Sequence, residues 1–458
     1  MLRVRGGIRL FATAAVLLAA AHPAAAQDTI TVWWGKGFYK SEDDALLKVV
    51  KKFEEKTGTK VELSQYAIQD MISKTVAALD SGTVPDVAYS DTFDVQAGGK
   101  WAFEGKLEDL SDILVPMKAK FAPNTLETAY LLNGETKKKG YYGFPLKQQS
   151  MHVQIWKDML EKAGFKESDI PTQWADYWSF WCDKVQPASR KATGQRVYGI
   201  GQPMGVESTD SLQSFYTFMD AYNIHLVDDD GKLTIDDKVR DGLIHALKDY
   251  TDTYNKGCTP PSSTTWKDPD NNVAFHNKTT VMTHNFTISI AAKWFEDSTN
   301  PALTPEQRAA GKKAYEEDII TASFPNRPDG QPIKYRSDVK TGVIFTAAKN
   351  KTKAKEFVAF LLQEENLGPY VEGALGRWFP ATIEGQKSPF WQADRHRKAV
   401  YNQFTGGTQP FDFTKNYKFT ILNNENVWAK AMNRVVSEKV PVEKAVDELI
   451  ARIKEVAG

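Results

Sequence analysis

The chain has only two cysteines, Cys182 and Cys258, among its 458 residues. A disulfide-rich scaffold is therefore excluded, because such scaffolds are short chains held together by several bridges. A single bridge between these two cysteines and a pair of buried free thiols both remain open from the sequence alone.

An excess of charge of one sign is also absent, since Lys+Arg and Asp+Glu each number 58. A protein that binds nucleic acid or lies on an anionic membrane surface usually carries a marked basic excess. We therefore predict no nucleic-acid partner and no such membrane contact.

The sequence lacks the common signatures of catalysis and of metal binding. It contains no G-x-S-x-G, no H-E-x-x-H, no phosphate-binding loop, and no G-x-G-x-x-G after a strand. The histidines after residue 26 do not pair at metal-ligand spacing; they are His152, His225, His245, His276, His284 and His396. We expect no catalytic residue, no metal and no cofactor.

Carboxylates are numerous, and pairs such as Asp91 with Asp94 keep one enzymatic alternative open. Two carboxylates on either side of a glycosidic bond are sufficient to hydrolyse it. Nothing in the sequence distinguishes any pair from surface charge, so a secreted glycosidase is the less favoured interpretation.

The N-terminus has the pattern of a secretory signal peptide. Three arginines lie within the first nine residues, residues 10–21 are apolar apart from Thr13, and Ala24–Ala26 offers small residues at a cleavage site. We predict export to the periplasm with cleavage after Ala26, an uncleaved N-terminal anchor being the alternative. No cysteine lies near the cleavage point, so we expect no lipid anchor, and no later stretch is apolar enough to span a bilayer.

The chain after residue 26 begins with alternating strand and helix patterns. Apolar alternation predicts strands near 30–34, 61–63 and 86–90, and apolar residues at helical spacing predict helices over 41–58 and 68–80. This βαβαβ order indicates a parallel sheet, in which ligands bind at the carboxyl ends of the strands.

The length and the repeated α/β pattern favour two lobes joined by a hinge of several strands. Aromatic and glycine residues at 140–145, a β-rich run at 279–284 and a further run near 342–347 are interpreted as the three crossings between lobes. The predicted segments are a signal peptide at 1–26, lobe 1 at 27–143, lobe 2 at 144–278, a return to lobe 1 at 279–344, and lobe 2 with the C-terminal helices at 345–458.

Two helical patterns concern packing rather than function. Trp174, Trp178 and Trp181 share one helix face, which is more typical of a core than of a ligand platform. An amphipathic stripe after Pro441 predicts a C-terminal helix that starts at this proline.

Several segments together resemble a known family. The chain after the signal peptide reads ITVWWGKGFYKSEDDALLKVVKKFEEKTGTKVELSQYAIQDMISKTVAALDSGTVPDVAYSDT, followed downstream by WKDMLEKAGF, KDPDNNVAFHNKTTVMTHN and GVIFTAAKNKTKAKEFVAFLLQEENLGPYVEGALGRWFPA. Their order and spacing resemble family 1 extracellular solute-binding proteins, the maltose-binding-protein-like receptors of bacterial ABC importers. The resemblance extends over nearly the whole chain after residue 26.

The resemblance implies an α/β, two-lobed type II periplasmic-binding-protein fold. It implies a periplasmic substrate-binding component of an ABC transporter, monomeric and without enzymatic activity. Its partners would be a sugar, either a mono- or an oligosaccharide, and the membrane subunits of the importer. A phosphorylated or acidic polyol such as a glycerol phosphate is the alternative solute.

The candidate ligand-binding residues follow from strand ends and from the resemblance. Aromatic rings stack on the C–H faces of sugars, and polar side chains bond the hydroxyl rim. The residues are Trp34, Lys36, Tyr66, Asp91, Gln148, Trp266, Asn285, Arg377 and Trp378. Burial in a core is the competing interpretation for Trp34 and Trp378, and a solvated surface position is the competing one for Lys36.

Overall fold

The structure is a computed structural model that describes Met1, Leu2 and residues 28–458. The predicted signal peptide and its cleavage point lie outside the described residues, apart from the first two. Within the described part of the chain, no helix is both long enough and apolar enough to cross a membrane.

The described chain forms twelve strands. In chain order they are β1 (Thr29–Gly35), β2 (Lys60–Tyr66), β3 (Val87–Tyr89), β4 (Tyr130–Asn133), β5 (Lys138–Tyr141), β6 (Phe144–Gln149), β7 (His152–Trp156), β8 (Tyr198–Gly201), β9 (Thr280–Asn285), β10 (Ile319–Ala322), β11 (Asp338–Val343) and β12 (Phe379–Pro380).

Twenty α-helices accompany the strands, with π-helical segments at Asp94–Gly98, Phe180–Val185 and Ala314–Asp318. The helices are α1 (Lys40–Thr57), α2 (Ile68–Ser81), α3 (Gly99–Phe103), α4 (Ser111–Met117), α5 (Lys157–Lys162), α6 (Trp174–Ser179), α7 (Gln186–Thr193), α8 (Thr209–Ala221), α9 (Asp237–Asn255), α10 (Asp270–His276), α11 (Ser289–Thr299), α12 (Pro305–Lys313), α13 (Lys351–Leu361), α14 (Glu364–Glu372), α15 (Ile383–Gln386), α16 (Arg395–Thr405), α17 (Asp412–Lys415), α18 (Lys418–Glu425), α19 (Val427–Val436) and α20 (Val442–Ala457).

The first sheet has six strands in the order β12-β6-β11-β3-β1-β2. Strand β1 pairs in parallel with β2 and β3, as the βαβαβ pattern predicts. Because side chains alternate along a strand, Ile30, Val32 and Trp34 pack into one core with α1, α13 and α14. Trp33 packs on the opposite face, in a smaller core with α2.

Helix α1 has sequence signals for its packing and for its end. Leu46, Val49, Val50 and Phe53 are buried along one face. The helix ends at Gly58, whose φ of 72° lies in the left-handed region that glycine enters without a Cβ clash. Its N-terminus points to the carboxyl end of β1, which places the first turn of α1 beside the candidate site.

The second sheet has four strands in the order β10-β7-β9-β8, and strands β4 and β5 form a separate hairpin. The largest hydrophobic core surrounds the second sheet and includes α8, α9, α19 and α20. We call the six-stranded sheet with its helices the first lobe, and the four-stranded sheet with its helices the second lobe.

The strand pairings correct two of the three predicted lobe crossings. Strand β6 pairs with β11 and β12, so residues 144–149 belong to the first sheet and the chain crosses at Ser150 rather than at 143. Strand β9 pairs with β7 and β8 in the second sheet, so the predicted return at 279 is wrong. The chain returns to the first sheet only at β11.

The predicted placement of residues 345–458 in the second lobe is correct only for the C-terminal part. Helices α13 and α14 pack against β1 and α1 in the first lobe, and Val400 and Phe404 of α16 belong to the same core. Phe411 and the residues after it join the core of the second lobe. The third crossing therefore lies between α16 and α17.

Cys182 and Cys258 form a disulfide bond across 76 residues of sequence. The sequence had left open a bridge or two free thiols, and the structure shows the bridge. Both cysteines lie in the second lobe, against its core. The predicted packing role of Trp174, Trp178 and Trp181 is confirmed, since all three are buried in that core.

Candidate ligand-binding site

The site begins at the carboxyl end of β1, where Trp34 is buried. Its indole Nε1 donates a hydrogen bond to the hydroxyl of Tyr370 at 3.0 Å. Its ring lies 4.6 Å from the ring of Tyr89, measured between centroids. Trp34 therefore forms the aromatic floor of the site and belongs at the same time to the core of the first lobe.

Asp91 follows β3 and is half-buried beside this floor. Its carboxylate accepts hydrogen bonds from the Tyr89 hydroxyl and from Nη2 of Arg377, the latter at 3.1 Å. Burial opposes the ionised form, but Lys147 and Arg377 outweigh it and hold the pKa of Asp91 below its ordinary value. Asp91 is therefore an ionised acceptor at neutral pH.

Arg377 is held in the site by carboxylates and by aromatic rings. Its guanidinium carbon lies 5.0 Å from the ring centroid of Phe38 and 4.3 Å from that of Trp378. Nη1 lies 3.6 Å from a carboxylate oxygen of Glu42. The side chain is only 10% exposed, and its Nε and Nη1 have no acceptor among the described residues. Two buried donors are thus left for a further partner.

Lys147 and Glu42 form a buried ion pair under the site, with 2.6 Å between the charged atoms. The ammonium lies 4.5 Å from the ring centroid of Trp378 and 4.9 Å from that of Tyr370. Glu42 also accepts a hydrogen bond from Nε1 of Trp378 at 3.0 Å. The pair is therefore fully enclosed by hydrogen bonds and aromatic faces.

The second lobe contributes Asp210, in the first turn of α8. Burial raises the pKa of Asp210 well above its ordinary value and Asp268 adds to the effect, while Arg377 and Lys340 of the first lobe oppose it. Asp268 accepts hydrogen bonds from the Ser208 hydroxyl at 2.8 Å and from the backbone N–H of Asp210 at 3.0 Å. Gln213, one turn further along α8, donates to Asp338 of the first lobe at 2.9 Å, so this face of α8 lies against the charged groups of that lobe.

A second charged group lies where the lobes join. Lys340 of β11 is 2.6 Å from a carboxylate oxygen of Asp338 and 3.4 Å from Asp94. The same oxygen of Asp338 accepts hydrogen bonds from Gln149 of β6 at 2.8 Å and from Gln213 of α8 at 2.9 Å. Asp338 thus connects both crossing strands of the hinge with the second lobe.

One direct contact holds the two lobes together at the rim of the site. The hydroxyl of Tyr39, just before α1, donates a hydrogen bond to the backbone carbonyl of Ser289, the first residue of α11. Tyr39 is buried in this arrangement. The structure therefore has its lobes in contact across the site.

A family model described as a bacterial extracellular solute-binding protein matches residues 48–399. The chain belongs to this family. No curated protein matches the sequence of this solute-binding protein significantly.

Solved structures share the fold of this solute-binding protein over nearly all of its length. An ABC transporter solute-binding protein from Thermotoga lettingae, bound with alpha-D-tagatose, matches with a TM-score of 0.75 and 21% identity over 94% of this chain and 100% of that one. Maltose-bound MalE3 of T. maritima matches with a TM-score of 0.71 and 18% identity, over 93% and 99% of the two chains.

A sugar transporter protein from Arthrobacter chlorophenolicus with bound laminaribiose matches with a TM-score of 0.69 and 16% identity, over 93% of this chain and 99% of that one. The predicted two-lobed type II periplasmic-binding-protein fold is thereby confirmed.

Four of the nine residues predicted to bind ligand lie together in this solute-binding protein. Trp34, Asp91, Arg377 and Trp378 share direct contacts or common neighbours around Lys147 and Glu42. Trp34 and Trp378 are each 1% exposed, so they support the site from beneath.

Two further residues from the strand ends lie apart from this group. Lys36 is exposed, and its backbone N–H extends the sheet by donating to the carbonyl of Tyr66 at 2.7 Å. The ring of Tyr66 packs against Trp33 and under the ammonium of Lys74, on the opposite face of the sheet from Trp34. Tyr66 is therefore directed away from Asp91 and Arg377.

Gln148 is buried within the first sheet. Its amide donates to the carbonyl of Pro380 at 2.8 Å and accepts from the hydroxyl of Ser337 at 2.7 Å. It therefore ties β6 to β12 and to the start of β11.

Trp266 and Asn285 lie in the second lobe. Trp266 is buried and donates to the hydroxyl of Ser262 at 3.1 Å. Asn285 is buried at the end of β9, where it donates to Asn272 at 3.0 Å and to Ser289 at 2.8 Å. Both have local partners in the described chain.

The sequence interpretation missed Glu42, Lys147, Asp210, Asp338 and Lys340. One signal was present, because Lys147 is the only charged residue of its strand and follows Phe144 and Leu146, and Asp338 and Lys340 alternate within another strand. A charge inside a buried strand needs a partner, and therefore indicates a site.

Proposed function

We propose that this protein is the periplasmic substrate-binding component of an ABC importer and that it captures a mono- or oligosaccharide between its lobes. The observation that carries the proposal is Arg377, whose buried Nε and Nη1 have no acceptor among the described residues. An oxygen-rich solute between the lobes supplies such acceptors.

The surrounding groups suit a polyhydroxylated solute. Asp91 is an ionised acceptor for hydroxyl groups, and Arg377 is a donor beside it, 3.1 Å away. Phe38 is 41% exposed at the rim and offers an apolar ring face. Hydroxyls that donate to a carboxylate and accept from a guanidinium, with C–H groups against a ring, are the features of a sugar.

The phosphorylated or acidic alternative is less well supported, because each basic side chain that the structure describes in the site already has a carboxylate partner. Lys147 is paired with Glu42, Lys340 with Asp338, and Arg377 with Asp91. A solute with an added negative charge would have to compete with these carboxylates.

We also propose that the solute leaves chemically unchanged, that the protein acts as a monomer, and that it is exported with cleavage after Ala26. The membrane subunits of the importer would recognise the closed lobes. A ligand stabilises the closed form only as far as it binds that form better than the open one.

The first experiment is a thermal-shift screen of purified protein, residues 27–458, against neutral mono-, di- and trisaccharides and against glycerol phosphates. A ligand that binds only the folded protein raises the melting temperature with its concentration. We expect a neutral sugar to raise it, and we expect chromatography to recover that sugar intact.

The matched variants are Arg377→Lys and Arg240→Lys. Arg377→Lys keeps the charge but removes the two unpaired guanidinium donors, so we expect it to reduce the ligand-induced shift. Arg240 forms a surface ion pair with Asp447, and its substitution leaves the shift unchanged. Release of a cleavage product, or equal shifts in both variants, would contradict the proposal.

A further inference from the structure

Arg336 lies at the second-lobe end of the crossing that leads into β11. Its side chain is 3% exposed, and Nε donates to a carboxylate oxygen of Asp220 in α8 at 2.9 Å. Nη1 donates to the carbonyl of Pro410 at 3.1 Å and to the carboxylate of Asp412, the first residue of α17, at 3.3 Å. One guanidinium thus joins the second crossing to the second lobe and to the third crossing.

The backbone around Arg336 joins the same crossings. Its carbonyl accepts from the hydroxyl of Ser150, the residue at the first crossing, at 2.9 Å. In the third crossing, the carbonyl of Gln409 accepts from the N–H of Ser337, and the N–H of Gln409 donates to the carbonyl of Tyr335, each at 2.9 Å. The three crossings are therefore linked to one another at one level. We call Arg336 with its partners Ser150, Asp220, Pro410 and Asp412 the hinge clamp.

Helix α8 joins the hinge clamp to the charged junction beside the site. Gln213 of this helix donates to Asp338 of β11 at 2.9 Å. Asp220 lies about two turns further on the same helix face, or about 10 Å along the axis. One face of α8 therefore contacts β11 at Asp338 and the approach to β11 at Arg336.

A cavity of about 790 Å³ lies between the lobes beside the hinge clamp. Arg336 and Asp412 line it on one side, and Tyr130 and Lys139 line it on the other. The latter two belong to the β4–β5 hairpin, which packs on the core of the first lobe through Tyr141. Because the lobes do not touch across this cavity, it leaves room for one lobe to rotate against the other about the clamp.

A buried arginine between two carboxylates is weak evidence for stability, because taking the charges out of water costs about as much as their attraction returns. Its hydrogen bonds nevertheless require one arrangement of the segments, since the planar guanidinium has fixed donor directions. The rings of Tyr216 and Phe411 restrict it further, with centroids 4.8 and 5.6 Å from the guanidinium carbon. The hinge clamp is therefore better suited to fixing geometry than to adding stability.

We propose that Arg336 is the positioning residue of the hinge, and that it makes the three crossings pivot together so that the lobes close along a single path. The inference rests on the proposed function only in that closure captures a solute, and it holds for any solute class. Without the hinge clamp each crossing bends by itself, so the free protein samples a wider range of lobe orientations.

The hinge clamp also predicts a dependence on pH. Burial raises the pKa of Asp220 to about 7, with Arg336 opposing the shift and Asp412 adding to it. Gln409 donates to the same carboxylate at 3.1 Å, and Tyr216 stays neutral because burial raises its pKa well above the ordinary value. As the pH falls through about 7, Asp220 takes up a proton and its bond to Arg336 loses one charge. We expect the clamp to loosen.

Other charged groups near the hinge clamp do not produce this change. Burial lowers the pKa of His225 below its ordinary value, and Arg336 adds to the effect, so this ring takes up no proton near neutral pH. Lys334 and Lys415, which line the same cavity, carry their charge throughout this range. A change in lobe orientation near neutral pH would therefore report on Asp220.

The experiment measures the distance between two spin labels by double electron–electron resonance, on purified protein without solute. The labels are attached at Ser73→Cys in α2 and at Lys238→Cys in α9, which are exposed positions on different lobes, and the native disulfide is left intact. Distances are recorded at about pH 6 and at about pH 8. We expect a narrow distribution at the higher pH and a wider one at the lower pH.

Two variants test the hinge clamp. Arg336→Lys keeps the charge but cannot reach all the acceptors at once, so we expect a wider distribution at both pH values. Asp220→Asn has the size and charge of protonated Asp220, so we expect it to fold and to give the low-pH distribution of the wild type at both pH values. Arg434→Lys is the control, since Arg434 makes two bonds to Glu448 on the surface of the second lobe. It leaves the distributions unchanged.

Urea denaturation of each variant separates positioning from structural support. Wider distributions in both clamp variants, and not in Arg434→Lys, support the inference. A loss of stability in Arg336→Lys with wild-type distances and an unchanged pH profile overturns it, as does a pH-dependent width that persists in Asp220→Asn. Since the measurement uses no solute, its result is independent of the thermal-shift screen, which tests the proposed function by itself.

Discussion

At the scale of single residues, the buried pair of Lys147 and Glu42 is expected to have a large effect on stability. Lys147→Met removes the cation nearest to the buried carboxylate of Glu42, which keeps only the hydrogen bonds to its oxygens and the more distant guanidinium of Arg377, 3.6 Å away. We expect the free energy of unfolding to fall by about 3–5 kcal/mol, measured by urea denaturation. The exposed pair of Lys248 and Asp252 provides the control, because Lys248→Met changes stability by less than about 0.5 kcal/mol.

A double variant tests the coupling between the two charges. Lys147→Met with Glu42→Gln removes both, so its loss of stability is expected to be smaller than the sum of the two single losses. Additive losses would show that the two side chains are stabilised by their other neighbours rather than by each other.

Trp378 is expected to act on folding as well as on binding. A pure binding role predicts weaker binding of Trp378→Ala without a change in stability. The structure instead buries the ring and bonds its Nε1 to Glu42 at 3.0 Å. We expect this variant to lose about 3–5 kcal/mol of stability in urea denaturation, and Trp378→Phe to lose less. A fully stable Trp378→Ala variant would contradict the buried position.

The sequence predicted Asp91 and Arg377 because strand ends and the family resemblance both pointed to them. It did not predict Lys147, since the partner Glu42 lies 105 residues away along the chain. Which two charges meet depends on the packing of β6 against α1, and a single sequence carries no direct record of that packing.

At the scale of elements, local patterns were sufficient for the first strands and helices. The predicted helix over 41–58 is found at Lys40–Thr57, and that over 68–80 at Ile68–Ser81. Each helix is followed directly by the glycine that ends it, Gly58 for the first and Gly82 for the second, so this signal is local in the sequence. The β-rich run at 279–284 is also a strand, as predicted. Its pairing partners, β7 and β8, lie far away along the chain, so the prediction placed it in the first lobe instead of the second.

The disulfide between Cys182 and Cys258 ties the π-helical segment after α6 to the end of α9. Its loop of 76 residues restricts the unfolded chain, so the double variant Cys182→Ser, Cys258→Ser is expected to lose about 2–4 kcal/mol. Differential scanning calorimetry measures the loss. The wild-type protein under reducing conditions is the control and should melt at a similar temperature. An unchanged melting temperature in both would contradict a formed bond.

Two histidines on adjacent strands of the second sheet predict a loss of stability in acid. Burial lowers the pKa of His152 to about 4 and that of His284 to about 3. The unfolded chain takes up their protons near the ordinary value of 6.5, before the folded protein does. Stability therefore decreases as pH falls below about 6.5 and stops decreasing below the folded-state pKa values.

The variant His284→Asn isolates one of these groups. We expect the dependence of its unfolding free energy on pH to be shallower than that of the wild type, by up to about 1.4 kcal/mol per pH unit below pH 6.5. Urea denaturation at several pH values measures the difference. Parallel curves for the two proteins would show that His284 is protonated equally in both states.

At the scale of the whole molecule, the sequence predicted two lobes and three crossings but not the crossing points. Segments of strand and turn look alike in both lobes, and only the pairing partners distinguish them. The first sheet is completed by β11 and β12, which begin only at Asp338 and Phe379, whereas β3 ends at Tyr89. Such long-range pairing places two of the crossings between the lobes, at Ser150 and just before β11. The packing of the two cores places the third crossing between α16 and α17.

Contact between the lobes is expected to contribute to the affinity for the solute. The hydroxyl of Tyr39 donates across the site to the carbonyl of Ser289, and Tyr39→Phe removes only that bond. The closed form then loses a stabilising interaction that the open form does not have, so the apparent dissociation constant should rise about threefold to tenfold. X-ray scattering of the free variant should show a larger radius of gyration than that of the wild type. Tyr254→Phe is the matched control, since its hydroxyl bonds Pro261 within one lobe. If the two variants bind alike and scatter alike, the contact at Tyr39 does not control closure.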